Sequence, residues 1–412
     1  MTPRAFPVAV VAVVSAAVLA GCTGGSPTAA PSPAPSRSAS LAPSAPSGTP
    51  TPPPTPTAGP APTGEACVAA TVGDLDLPGR VGQLLMIGTP IADPTAIVPT
   101  VRRYRLGAVF LAGRSAQSAA SLRRDIQAIQ RAARDATGMP VEVALDQEGG
   151  LVQTMSGGDF PRIPSAVQQG RWTDATLSAR TTDWARRLAD AGVTMNLAPV
   201  ADTVPAGTAG SNPPIGALDR QYGSTPDAVA RDVATVVRAA QSAGVMTTLK
   251  HFPGLGRVRA NTDTSTRAVD STATVDDPYL RPFAAGIQAG TGAVMVSSAR
   301  YPKLDRTTIA AFSTPIVTGL LRERLGFTGI IVSDDLGAAA AAGSVPVGQR
   351  AVRFVRAGGD LVLTVRPSDA GPMAGALVAA AKASPAFAAR VTAAAGNVVR
   401  AKVDAGLLTC SP

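Results

Sequence analysis

Gly329-Ile330-Ile331-Val332-Ser333-Asp334-Asp335 is a short β-branched run that ends on two adjacent carboxylates. A run of this length, with no polar alternation, suits a strand buried on both faces. Working outward from it, the same design recurs. Val81 to Gly88, Leu106 to Gly113, Val141 to Asp146, Val193 to Pro199, Val245 to His251, Ala293 to Ser298 and Asp360 to Val365 are further apolar runs, and Gly329 to Asp334 makes eight. Between them lie Ala-, Arg- and Asp-rich stretches of helical length, among them Ser118 to Thr137, Asp227 to Ala243 and Asp369 to Ala383, the first two followed at once by Gly. Strand and helix alternating eight times predicts an α/β fold, a single-domain (β/α)8 barrel of TIM type. A doubly wound open sheet is the other arrangement the alternation permits.

The polar signatures fall just after the runs: Asp146-Gln147-Glu148-Gly149-Gly150, Asn196 with Asp202, Lys250-His251, Ser297-Ser298 and Ser333-Asp334-Asp335. In a barrel those strand ends form the catalytic face. His251 is the only histidine of the chain, so mechanisms that need a second one, and zinc sites built on two or three, are excluded. A ring of carboxylates with one Lys-His pair suits a reaction that develops positive charge on a sugar, where two carboxyl groups flank an oxocarbenium-like transition state. Asp334, at the end of the stiff Ile330-Ile331-Val332 run, is the candidate nucleophile. Asp335 points the other way if strand geometry persists; an N-cap of a helix after this strand is the competing reading for both Asp334 and Asp335. A hydrolase using these carboxylates with Mg²⁺ or Ca²⁺ is a distant alternative, because no run has a recognised loop spacing; no cofactor or metal is expected.

Four segments carry a family resemblance: Asp146-Gln147-Glu148-Gly149-Gly150, Asn196 to Asp202, Lys250-His251-Phe252-Pro253-Gly254, and Leu325-Gly326-Phe327 through Ser333-Asp334-Asp335-Leu336. In order and spacing they resemble glycoside hydrolase family 3, and more narrowly its single-barrel β-N-acetylglucosaminidases, which trim amino sugars from cell-wall fragments. The resemblance spans about Val81 to Gly359. It implies a retaining mechanism in which Asp334 forms a glycosyl-enzyme intermediate, with Asp146, Arg220, Lys250 and His251 lining the sugar subsite. Arg220 enters through Asp219-Arg220-Gln221-Tyr222-Gly223, which looks like the family's Arg-x-Phe-Gly segment. Carboxylates accept sugar hydroxyls in pairs, and Lys and Arg donate to hydroxyls or an acetamido carbonyl. Structural readings stay open: Lys250 and His251 satisfied by backbone at the rim, Arg220 as a surface ion-pair partner.

The sequence also departs from that family. In the acetylglucosaminidase branch the proton donor resembles an Asp-His dyad in an Asp-Ser-His triplet after the fifth strand, and here the aligned triplet is Asn261-Thr262-Asp263. Leu255 replaces a histidine, Ser297-Ser298 stand where an Ala-His pair is common, and Leu151 stands where an Arg follows the Gly-Gly. No shift of register restores a dyad histidine, because His251 already fills the Lys-His motif. Asp263 is the candidate acid/base, since burial or the Asp334 charge can raise a carboxyl pKa. Loop capping by its Asx and hydroxyl side chains is the competing reading. The expected activity is a retaining exo-β-glycosidase that hydrolyses terminal β-N-acetylhexosamine residues of peptidoglycan fragments. The alternative is a catalytically weak or inactive glycan-binding lipoprotein.

Residues 1–21 read as an export signal: Arg4, an apolar run from Val8 to Leu19, then small residues. Leu19-Ala20-Gly21-Cys22 resembles a bacterial lipobox, which implies lipidation of Cys22 and an extracytoplasmic protein anchored to the cell membrane. Residues 22–66 are a Pro-, Ser-, Thr- and Ala-rich tether without the apolar surface to fold. In extended form such a tether reaches on the order of 100 Å. The barrel is expected over 67–412, with Cys67 and Cys410 joined by a disulfide, or else two unrelated buried thiols. The net charge of +9 suits anionic wall polymers or lipid headgroups. Its densest cluster, Arg102-Arg103-Tyr104-Arg105, reads as solvated surface, nothing resembles a nucleic-acid module, and a monomer is expected.

Overall fold

The computed structural model describes residues 63–409; the expected signal peptide, Cys22, nearly all of the tether and Cys410 lie outside the described residues. All eight runs supply a strand: β1 (Leu85–Pro90), β2 (Ala108–Ala112), β3 (Glu142–Leu145), β4 (Met195–Asn196), β5 (Met246–Phe252), β6 (Ala293–Val296), β7 (Ile330–Ser333) and β8 (Val362–Thr364). Each lies parallel to its neighbour in sequence, and β8 pairs back onto β1 through Leu85 and Val362. Ser333 N to Leu361 O and Leu361 N to Ile331 O carry β7 onto β8, so the sheet closes and no open edge remains. The open-sheet alternative is thereby excluded.

The ends of two runs differ from expectation. Val81 to Gln83 are helical, because Asp76 accepts from Gly79 N at 2.8 Å and Pro78 sets the first turn of a helix, Leu77–Gln83, that runs up to the first strand. The run Val193 to Pro199 gives the sheet only Met195–Asn196, since Pro199 has no N–H to continue the ladder.

Met86, Phe110, Met195, Met295, Ile330 and Leu363 fill the barrel with side chains, so it is a core and not a pore. Outside, the helix Ala119–Thr137 shows why such segments wrap the sheet: Ser118 caps Ser121 N, Leu122, Ile126, Ile129 and Ala133 share the buried face, and Gly138 at φ 71° ends it. Each fully buried Leu or Ile there contributes about 1.5–3 kcal/mol. The last helix, Pro385–Asp404, adds Val398 and Ala401 to the barrel cluster and covers its N-terminal end. Against it packs the helix Thr63–Gly73, tied by Glu65 to Arg400 at 2.8 Å, so the last residues assigned to the tether, four of them before Cys67, are helical. Cys67 is disulfide-bonded. Among the described residues no helix is long and apolar enough to cross a membrane.

Candidate active site at the C-terminal face

Four of the residues singled out by the sequence meet at the mouth of the barrel around a carboxylate that was not. Lys250, within β5, sends its Nζ to Asp146 Oδ1 at 2.6 Å and to Glu148 Oε1 at 2.7 Å. Arg220 grips Glu148 with both sides of its fork, Nη2 to Oε1 at 2.6 Å and Nε to Oε2 at 2.8 Å, and donates from Nη1 to Pro214 O. Burial alone favours neutral Glu148, yet the contacts from Arg220 and Lys250 win and hold its carboxyl at about 2. By the same balance Lys250 and Arg220 are both raised despite their burial, the first by Asp146 and Glu148, the second chiefly by Glu148. This network is permanently ionised at neutral pH, with its cations fixed in place.

The backbone arranges this. Glu148 sits in a tight ribbon, Gln147–Gly149 paired with Val152–Gln153, that turns back just after β3. Asn196 at the end of β4 locks the ribbon as a strand would: its Oδ1 accepts from Gln147 N at 3.0 Å and its Nδ2 donates to Gln147 O. Gly149 has φ 106°, and a Cβ there would collide with Pro164 O, so both the turn and the close approach require glycine.

His251 is held by Asp202, whose Oδ2 lies 2.7 Å from Nδ1, while the Asp202 carboxylate also accepts from the backbone N–H of His251 and Leu255. An Nδ1–H donated to Asp202 leaves Nε2 as the free acceptor, 3.5 Å from Arg220 Nη2. That orientation sets His251 beside Arg220 at the barrel mouth.

Asp334 follows β7 directly, with its N–H donating to Val296 O at 3.0 Å and its Oδ1 accepting only from Asp335 N. Its remaining oxygen has no protein partner among the described residues. Asp335 is committed elsewhere: its Oδ1 accepts from Gly337, Ala338 and Val365, so it caps the turn after β7 and not a helix. Across from Asp334 comes Asp263, on the loop after β5. Burial and then the Asp334 charge push its carboxyl above the usual range, and the nearby His251 and Arg220 offset part of that rise. The residue keeps contact with solvent, so a proton reaches it freely. Its loop is pinned beside the β7 turn, Ala340 N to Asp263 O and Ala341 N to Thr262 O. Asn261 spends its Oδ1 on Asp263 N at 2.9 Å, which is the local capping role expected of an Asx side chain, and it does not orient the Asp263 carboxyl.

Asp146, Arg220, Lys250, His251, Asp263 and Asp334 therefore share one face. Glu148 and Asp202, which fix the first four, carried no assigned role in the sequence. Two signals pointed to them: two cations against the single carboxylate of Asp146, and one buried imidazole in need of an Nδ1 partner. Arg220 pairs with an acid, though a buried one and not at the surface. Ser298, in the Ser-Ser pair after β6, is fully buried with its hydroxyl unpartnered among the described residues. Among the described residues no group of three or more His, Cys, Asp or Glu side chains is placed to hold a metal ion.

The profile of the glycosyl hydrolase family 3 N terminal domain matches residues 77–401, reaching past both ends of the Val81 to Gly359 span that the motifs marked. A β-hexosaminidase of Xylella fastidiosa (strain M12) is 36% identical over 259 residues, 60% of this chain and 73% of that protein. Among solved structures, a β-N-acetylhexosaminidase from Beutenbergia cavernae DSM 12333 is 43% identical with a TM-score of 0.78, covering 80% of this chain and 99% of that one. A family 3 β-N-acetylglucosaminidase from Paenibacillus sp. str. FPU-7 is 27% identical with a TM-score of 0.73, over 81% and 63% of the two chains. Profile, relatives and barrel agree, and the chain belongs to glycosyl hydrolase family 3, a family of glycoside hydrolases.

Proposed function

We propose that the protein is a retaining exo-β-N-acetylhexosaminidase that removes terminal β-linked N-acetylglucosamine from peptidoglycan fragments, with Asp334 as nucleophile and Asp263 as acid/base. The observation that carries the reading is the pairing of two unlike carboxyl groups at the barrel mouth. One, Asp334, is rigidly mounted with a free oxygen; the other, Asp263, is raised by burial and by the charge of the first.

In the first step Asp334 attacks the anomeric carbon as the protonated Asp263 gives its proton to the departing glycosidic oxygen, leaving a glycosyl ester on Asp334. Esterification removes the Asp334 charge, one of the two causes that raise Asp263, so its pKa falls and it becomes the base that takes a proton from the incoming water. That water then cleaves the ester and restores both groups. Asp146, Arg220, Lys250 and His251 hold the sugar, their positions set by Glu148 and Asp202. Export and a lipid on Cys22 belong to the same proposal, and put the barrel outside the cytoplasmic membrane.

Asp334→Ala is expected to lower turnover of an aryl β-N-acetylglucosaminide by a factor on the order of 10⁴ or more, and a 2-fluoro glycoside is expected to label Asp334 in the wild type. Wild-type protein as inert as the variant across a panel of aryl β-glycosides would sink the enzyme reading. One observation favours a binding protein instead: Asn261 leaves the Asp263 carboxyl without an orienting partner. Saturable binding of N-acetylglucosamine without any product would then be the result.

A further inference from the structure

The loop that carries Asp263 has a second side. Between it and the segment after β4 lies a cleft of about 600 Å³ whose lining includes Asn212, Arg257, Arg259, Ser265, Arg267 and Asp270. One wall is braced: Asn212 Nδ2 donates to the carbonyls of Leu255 and Val258, each at 2.7 Å, and its Oδ1 accepts from Gly216 N. Arg257 and Asp270 cancel each other, joined at 2.8 Å, while Arg257 also reaches Asp277 and stacks over Tyr279. The other Asp270 oxygen is taken by Thr272 and Ala273.

What remains is cationic. Arg259 and Arg267 are exposed, and among the described residues neither guanidinium has an ion-pair or hydrogen-bond partner. Two unpaired guanidinium groups in one concave site focus positive potential, and their forks match the oxygens of a carboxylate or phosphate. Ser265, two residues after Asp263, belongs to the same wall.

We infer that this cleft is an anion subsite on the aglycone side of the substrate, where Arg259 and Arg267 receive a carboxylate or phosphate borne by the glycan beyond the scissile bond. The inference rests on the glycosidase reading above, and it makes charge on the aglycone a determinant of specificity.

The test compares three substrates that share an N-acetylglucosaminyl donor: one linked to a sugar bearing a lactyl carboxylate, one to a sugar bearing a phosphate ester, and neutral chitobiose. Wild type is expected to prefer at least one anionic substrate by about tenfold in kcat/KM, the effect of two charge-assisted partners at a half-open site. The double variant Arg259→Ala/Arg267→Ala, or salt near about 0.5 M, is expected to erase that preference. Which arm is preferred names the source of the anion. Equal kcat/KM on all three substrates in wild type, or a preference that survives in the variant, overturns the subsite. If no substrate is cleaved at all, it is the glycosidase reading that fails, and calorimetry on Asp334→Ala still decides the subsite. N-acetylmuramic acid and N-acetylglucosamine 6-phosphate are then expected to bind more tightly than N-acetylglucosamine, and to lose that margin when both arginines are replaced; equal binding overturns the inference.

Discussion

At the catalytic face Lys250 touches Glu148 and Asp146, and burial is outweighed: Glu148 is held at about 2 and Lys250 is raised. At the opposite end of the same barrel Lys402 and Glu142 are buried just as completely, but they form no ion pair in contact. Lys402 Nζ donates to Gln83 Oε1 at 2.7 Å, Glu142 accepts from the Thr194 hydroxyl, and Glu142 Oε1 has no partner among the described residues. Burial prevails there, so Glu142 is raised and Lys402 falls to about 8. The residue types and the burial match; direct contact separates a site that keeps its charges from one that resists them. Charge is held in place at one face, whereas at the other it is a load on the fold.

The comparison is tested hardest at the one group of the catalytic face that resembles the far end. Asp263, though open to solvent where Glu142 is not, is likewise raised first by desolvation, and its carboxyl makes no hydrogen bond among the described residues. Asp263→Asn is expected to cost about 10² to 10⁴ in rate on substrates with poor leaving groups and much less on aryl glycosides, because general acid catalysis matters only where the leaving group needs a proton. The wild type's activity on poor leaving groups is expected to fall as pH rises through the raised Asp263 pKa, and this basic limb should be missing in Asp263→Asn. Equal losses on both substrate types would assign the proton to another group.

A smaller effect is expected within the contact network. Glu148→Gln leaves Arg220 without its carboxylate contact and Lys250 with Asp146 alone in contact, and breaking a buried pair in this way costs roughly 3–5 kcal/mol. The sign with pH follows from the depressed pKa: the Glu148 contribution is fully present above its unfolded value of 4.5 and is lost as pH falls towards about 2. Denaturant midpoints of wild type and variant measured between neutral and acid pH would check both. A variant as stable as wild type at neutral pH would mean that contact does not separate the two ends.

The unequal legibility of these regions has a physical cause. The barrel was readable because each strand repeats a local pattern: Gly329 to Asp334 contains all of β7, five other runs contain theirs, and β1 and β5 overrun theirs only at the C-terminal end. Asp334 was readable for the same reason, as the residue where that pattern stops. Glu148 was not, because its partner Arg220 lies 72 residues away and the ribbon that turns it inward depends on Asn196 from the next strand. The Lys402 and Glu142 pair is more remote still, since it exists only because the last helix covers the barrel's N-terminal end. Motif reading picked out Asp146, Arg220, Lys250, His251, Asp263 and Asp334, which the fold brings to one face, and it passed over Glu148 and Asp202, which hold Lys250, Arg220 and His251 there.

The mildest expected effect belongs to that far end, and it should have the opposite sign to Glu148→Gln. Replacing both groups, Glu142→Gln with Lys402→Met, removes two charges that burial penalises and that no ion-pair contact repays, so the double variant is expected to be neutral to about 1–4 kcal/mol more stable at neutral pH. The advantage should also be bounded on both sides. Glu142 is raised in the fold, so its penalty is absent below its unfolded value of 4.5 and grows as pH rises through the folded value. Lys402 is lowered to about 8 from 10.5, so its penalty is complete below about 8 and disappears as pH climbs to 10.5. The stability difference between double variant and wild type should therefore peak between the two titrations and shrink towards both acid and alkaline pH. A flat difference across that range would mean that Lys402 and Glu142 attract each other as effectively at a distance as Lys250 and Glu148 do in contact.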